Sequence, residues 1–228
     1  MYDACRMTVE TEKRMVLDNS IERQKIVRDL KTGIASGELK PGERLVEVHL
    51  SKVFGVTRSR MREALKKLEQ DGFVRIIPNV GARVAEFSQR DIEHFYDLMS
   101  VLEGLAVRVI TPFVTEEHLK RIEALVDKVE AARTVTQFYE RNNQFHSFLI
   151  ALSENDHVIK LAENFMFRIR CLNLQCLFSP GQMAASVKEH RKIFEAIKQR
   201  NPVKAENLMR NHLVCAKNRL IKHLNKSL

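Results

Sequence analysis

Residues 46–72 read VEVHLSKVFGVTRSRMREALKKLEQDG. Two helical patterns meet here at a break. The first, Val46–Phe54, stops at Gly55. The second, Arg58–Gln70, starts behind Thr57, whose hydroxyl suits an N-cap, and ends at Asp71-Gly72. Phe54-Gly55-Val56-Thr57 is the joint of a helix-turn-helix. On the second helix Met61, Ala64, Leu65 and Leu68 fall on one stripe at 100° per residue. Ser59, Arg62, Glu63, Lys66 and Gln70 occupy the other face, with Arg58 and Arg60 at the start. From Thr57 to Lys67 there are five cations and one carboxylate. A helix N-terminus attracts phosphate through its free N–H groups, and an arginine fork grips phosphate or guanine O6/N7. This helix is therefore expected to enter a major groove while its apolar stripe stays on the domain's own core.

Working outward, Ser20 can cap an upstream helix with apolar positions Ile26, Val27, Leu30 and Ile34, terminated at Gly37; Lys40-Pro41-Gly42 is a turn. Downstream, Phe73–Ile77 and Ala82–Phe87 alternate as short strands around the turn Pro78-Asn79-Val80-Gly81. Helix-turn-helix plus hairpin makes a winged helix over residues 20–86. The wing, with Gly81 and Arg83, is expected along the minor groove.

From Ser88 onward only helical periodicity remains, in segments Arg90–Ile110, Thr115–Arg133, Thr136–Ser153, His157–Phe178, Pro180–Arg200 and Pro202–Asn225. The expected fold is mainly α: a tail at 1–19, a winged helix-turn-helix at 20–86, and an all-α bundle at 88–228, joined through Glu86–Arg90. The chain has 228 residues, 38 Lys+Arg against 29 Asp+Glu, and a net charge of +9, which points to a polyanionic partner. A 44% hydrophobic fraction supports a packed core, and the lack of Trp argues against Trp-stacked carbohydrate platforms. No apolar run approaches the 18 residues of a membrane span, and the N-terminus does not read as a signal peptide, so a cytoplasmic protein without membrane partners is expected. Cys5, Cys171, Cys176 and Cys215 lack zinc or disulfide spacing and read as reduced thiols.

The bundle carries the second signal. In Thr136–Ser153 the inner stripe is Phe138, Asn142, Phe145, Leu149 and Leu152, and His146 follows Asn142 by four, on the same side. His190 lies within the arc of Val187, Phe194 and Ile197. His212 lies among Ala205, Leu208, Cys215 and Ala216. Three inward imidazoles on three helices need partners, either separately in the core or through one divalent metal, with Asn142 giving an oxygen. His49, His94, His118, His157 and His223 show no such grouping and read as surface residues.

The segment SGELKPGERLVEVHLSKVFGVTRSRMREALKKLEQDGFV at 36–74, followed by PNVGARV, resembles the head of GntR-family transcriptional regulators. Residues 88–228 are similar to the FCD-type ligand-binding domain of the FadR subfamily, through QRDIEHFYDLMSVLEGLAV, NNQFHSFLIALSEN and KEHRKIFEAIKQRNPVKAENLMRNHL. The resemblance implies DNA contact by Thr57, Arg58, Ser59, Arg62 and Gly81; Arg60 and Lys66 join them on charge and position. It implies metal ligation by His146, His190 and His212, with Asn142 where metal-binding members carry Asp, and a divalent ion such as Zn, Ni or Mn. It further implies a homodimer on a near-palindromic operator, acting as a repressor under a small-molecule effector. Three departures stand out. Val48 replaces a frequent DNA-contacting Arg, and Arg60 a frequent Pro or Thr. Met99 replaces an Arg that commonly holds a carboxylate effector, which weakens the case for a simple organic acid. Three other readings compete: a regulator for which the ion itself is the signal, a metal-dependent hydrolase, and an architectural DNA binder with an inert dimerisation bundle, against which the inward polar residues count. The hydrolase lacks an HExxH pattern and a general base set by spacing, since Glu189 beside His190 is expected to face away.

Overall fold

The computed structural model describes residues 21–170 and 180–224. The expected tail, the Ser20 cap, Cys5, Cys171, Cys176 and the His223 side chain lie outside the described residues. The chain divides into two compact units, up to Glu86 and from Phe87 on.

In the first unit, α1 (residues 21–36) buries Ile26, Val27, Leu30 and Ile34 and ends at Gly37, whose φ is +79°. β1 (Arg44–Leu45) precedes α2 (Glu47–Val53). Gly55, at φ +66°, turns the chain into α3 (Arg58–Gln70), and the Thr57 hydroxyl accepts from the Arg60 N–H. β2 (Val74–Ile77) and β3 (Gly81–Val84) form the wing, paired antiparallel from Val74↔Val84 to Ile77↔Gly81. The sheet order is β1-β3-β2. β1 has no counterpart in the sequence reading, because two residues after a turn show no alternation. They become a strand through tertiary pairing, Arg44↔Arg83 and Leu45↔Ala82. β3 is also shorter than the expected Ala82–Phe87. Leu45, Val74, Ala82 and Val84 face inward and close over the buried stripe Met61, Ala64, Leu65 and Leu68.

In the second unit, a reciprocal capping box between Ser88 and Asp91 starts α4 (Gln89–Ile110). One 3₁₀ turn (Thr111–Phe113) leads to α5 (Glu116–Glu130), where the His118 ring caps the helix by accepting from the Thr115 N–H. Then come α6 (Val135–Ala151), α7 (Asp156–Arg170), α8 (Pro180–Lys198) and α9 (Pro202–Leu224). Fully buried Met99, Ile122, Phe138, Phe145, Phe194 and Met209 lie in one core. α4 and α9 run antiparallel, with ion pairs Asp97–Lys217 and Arg108–Glu206 along their seam. They come close: a Cβ on Gly104 would lie 2.8 Å from Arg210 Cγ. The sequence reading misplaced Cys215, which is exposed; Met209 and Leu213 fill the inner face instead. Among the described residues, no helix is long and apolar enough to cross a membrane.

Candidate DNA-reading face and histidine centre

Packing behind α3 decides what its front can do. With the stripe buried, Thr57, Arg58, Ser59, Arg62, Glu63 and Lys66 are all exposed. Arg62 is not loose. Its Nε and Nη2 donate to the two Glu47 carboxylate oxygens at 3.0 and 2.8 Å, which raises the guanidinium pKa further. The clasp from α2 sets the fork's direction while leaving its outer edge in solvent. Arg60 is half-buried and ion-paired with Glu22 of α1. Arg83 is half-buried and donates to the Gly42 carbonyl at 2.8 Å. These two arginines thus brace the fold. Gly81 is exposed in the wing at φ +102°, beside Asn79 at +61°.

The three histidines from α6, α8 and α9 meet. His190 Nε2 is 3.2 Å from His212 Nε2, which is 3.3 Å from His146 Nε2. All three rings are buried. Tetrahedral Zn–N bonds of about 2.0–2.1 Å require nitrogen pairs about 3.3 Å apart, so the spacing fits one shared cation.

The outer nitrogens explain the arrangement. His146 Nδ1 lies 2.5 Å from Glu103 Oε2, and His212 Nδ1 2.6 Å from Glu189 Oε2. A carboxylate only accepts, so each ring carries its proton on Nδ1 and turns a lone pair inward. Glu189 is itself gripped by Arg219 at 2.8 and 2.9 Å. Burial alone would push its carboxyl up, but Arg219 and His212 reverse that and hold it at about 2. Among the described residues, His190 Nδ1 has no hydrogen-bond partner. Burial, then the neighbouring His212 and His146, keep it neutral by lowering its pKa well below the usual histidine value. Burial likewise lowers His212, with Glu189 opposing. A buried triad of imidazoles, with His146 and His212 turning lone pairs inward, is a donor set for a borderline or soft divalent ion.

A cavity of about 70 Å³ adjoins the triad, with Asn142, Tyr96, Tyr139, Met99, Ser186 and Arg219 among its walls. Asn142 is half-buried there, on the His146 side of α6. Met99 is buried in the wall where the resembling family commonly has Arg, and Arg219 supplies a cation from another helix.

Glu189 corrects the sequence reading. One position is a rotation of 100°, too little to carry a side chain of three torsions out of reach of α9. Glu103 and Arg219 were missed as well. Arg219 had a signal, standing seven residues after His212 and so on the same helix side. Glu103 had only its place on an otherwise apolar face of α4.

Placed after two helices, before a wing, and joined to a bundle with a histidine-lined cavity, the exposed basic helix defines a DNA-binding transcriptional regulator. The comparisons agree. Residues 22–84 match the model of bacterial regulatory proteins of the gntR family, and residues 94–214 that of the FCD domain. The HTH-type transcriptional regulator YdhC of Bacillus subtilis is 32% identical over 80% of this chain and 84% of its own. The HTH-type transcriptional repressor RspR of Escherichia coli is 26% identical over 91% of each. The solved fold of E. coli McbR/YncC superposes with a TM-score of 0.73 at 20% identity, over 88% of this chain and 97% of that one. The chain belongs to the GntR family, in the branch that carries an FCD domain. Its relatives are named as regulators of transcription, not as enzymes.

Proposed function

We propose that this protein is a cytoplasmic repressor that binds a near-palindromic operator as a homodimer and whose affinity is set from the histidine centre. Arg58, Ser59, Arg62 and Lys66 meet the duplex. Thr57 starts the helix and Gly81 shapes the wing, while Arg60 and Arg83 act chiefly as braces. His146, His190 and His212 hold a divalent ion, with Zn, Ni and Mn as candidates and Asn142 as a neutral oxygen donor. The ion supplies a positive centre beside the cavity, and a small anionic effector completes its coordination. The observation that carries the reading is the inward convergence of three Nε2 atoms at 3.2–3.3 Å, with Glu103 and Glu189 behind two of the rings. The adjoining cavity favours a small-molecule signal over the ion alone.

For an effector to act, it must bind the DNA-competent and DNA-incompetent arrangements with different affinity. Residues 86–90 are the covalent route between the units. Elemental analysis of the purified parent and a His190→Ala variant tests the centre: the parent retains a divalent ion and the variant loses it. Equal metal in both removes the reading.

A further inference from the structure

Three strands of the first unit assemble one row of arginines. Arg44 on β1 and Arg75 on β2 are both Cα partners of Arg83 on β3, the strand between them. Residues paired directly across strands share a face of the sheet. The inner face holds the buried Leu45, Val74, Ala82 and Val84, so the three arginines stand on the outer one. Arg44 and Arg75 are exposed, with Arg83 half-buried between them. The row is invisible in the sequence, because Arg44 joins it only through the tertiary pairing of β1.

Like charges directly opposite on a sheet are destabilising. Carboxylates beside the row would offset that cost, but among the described residues none pairs with Arg44 or Arg75. Glu43, next to Arg44 in sequence, accepts instead from the Lys40 N–H at 2.8 Å. A row of cations kept without counter-charge, against the interest of the fold, suits a polyanion. The wing turn lies close by. Two residues beyond the row Ile77 pairs with Gly81, which puts the turn about 7 Å away along the strands. The row spans two strand spacings, about 10 Å, and a DNA strand offers a phosphate every ~3.4 Å of its axis. A minor groove is only about 6 Å wide, so a ribbon whose turn follows one has the backbone at its edge alongside.

We propose that Arg44 and Arg75, flanking the braced Arg83, grip the phosphodiester backbone beside the minor groove that the wing follows. The site rests on that placement of the wing, and it adds contacts that carry charge but no base information.

The test uses the full chain and a duplex that the parent enriches from a random-sequence library. Affinity is read by fluorescence anisotropy across a salt series. In the variant carrying Arg44→Gln and Arg75→Gln, the slope of log affinity against log salt shrinks by about two per bound winged helix. Affinity at low salt falls about tenfold or more, and the enriched sequence stays the same. A control carrying Lys120→Gln and Arg121→Gln, exposed positions on α5, loses the same charge and keeps the parent's slope. Equal slopes in parent and row variant overturn the proposal, and so does an equal loss in the control. Val80→Glu, at an exposed position of the wing turn, separates the site from the reading beneath it. If it weakens binding and the row variant does not, the wing keeps its groove and the row alone falls. If neither weakens binding, both fall. Should the double variant fail to fold, Arg75→Gln alone decides, on an edge strand: its slope is smaller by about one, and an unchanged slope overturns the proposal.

Discussion

Single side chains set the quality of each site. The Glu47 clasp on Arg62 means that truncating the arginine removes a pre-aimed fork. Arg62→Ala weakens operator binding by about 1–3 kcal/mol if the fork reads a base edge, as titration by fluorescence anisotropy at fixed salt measures. Unchanged affinity removes Arg62 from the interface. Asn142→Asp returns a charge to the cavity wall and tightens metal binding in calorimetry; weaker binding strikes Asn142 from the ligand set. In the head, Asp71 accepts from Lys31 and Lys67 at 2.7 and 2.8 Å. Burial raises its carboxyl, but the two ammonium groups win and the pKa falls below the ordinary 3.8. A depressed carboxyl stabilises the fold above its unfolded pKa, and that contribution is lost as pH falls through the folded one. Asp71→Asn therefore costs about 1 kcal/mol near neutrality. Denaturant melts show the gap to the parent closing below about pH 4. A gap independent of pH contradicts the pairing. Sequence revealed the three histidines because backbone periodicity alone points them inward. It hid Glu103 and Arg219 because where a long side chain ends depends on which helix lies opposite.

Elements were legible where local chemistry marks both ends. Thr57 and Asp71-Gly72 bracket α3, whereas the expected helix from Arg90 lacked the Ser88–Asp91 box that opens α4. β1 escaped because it exists only through β3. The 3₁₀ turn at Thr111–Phe113 escaped because it continues α4 with no break in apolar pattern. Ser88→Ala removes the hydroxyl that accepts from the Asp91 N–H and lowers stability by about 1 kcal/mol, read as a lower thermal midpoint. An unchanged midpoint shows that Asp91 alone suffices to start the helix. At the joint of the helix-turn-helix, Gly55 stands at φ +66°. Any side chain there adopts a left-handed backbone at a cost of about 1 kcal/mol.

Taken whole, the chain pairs a DNA reader with a bundle whose core holds three buried histidines. The homodimer proposed above calls for two half-sites in the DNA, and each unit contributes a separable property. Stripping divalent ions with a chelator lowers the thermal midpoint, and restoring Zn, Ni or Mn recovers it in proportion to occupancy. A midpoint indifferent to chelation means that the triad is satisfied within the fold. At Gly104, the missing methyl has a reach beyond its own turn. It lets the stem of Arg210 lie flat across the helix crossing, and two residues later the same α9 backbone presents His212. Because the obstructing atom is Cγ, close to the main chain, an alanine there moves the strand of atoms from which an imidazole hangs. A hydrogen at position 104 is thus a shim beneath one leg of a tripod, and thickening it by one carbon tilts the seat.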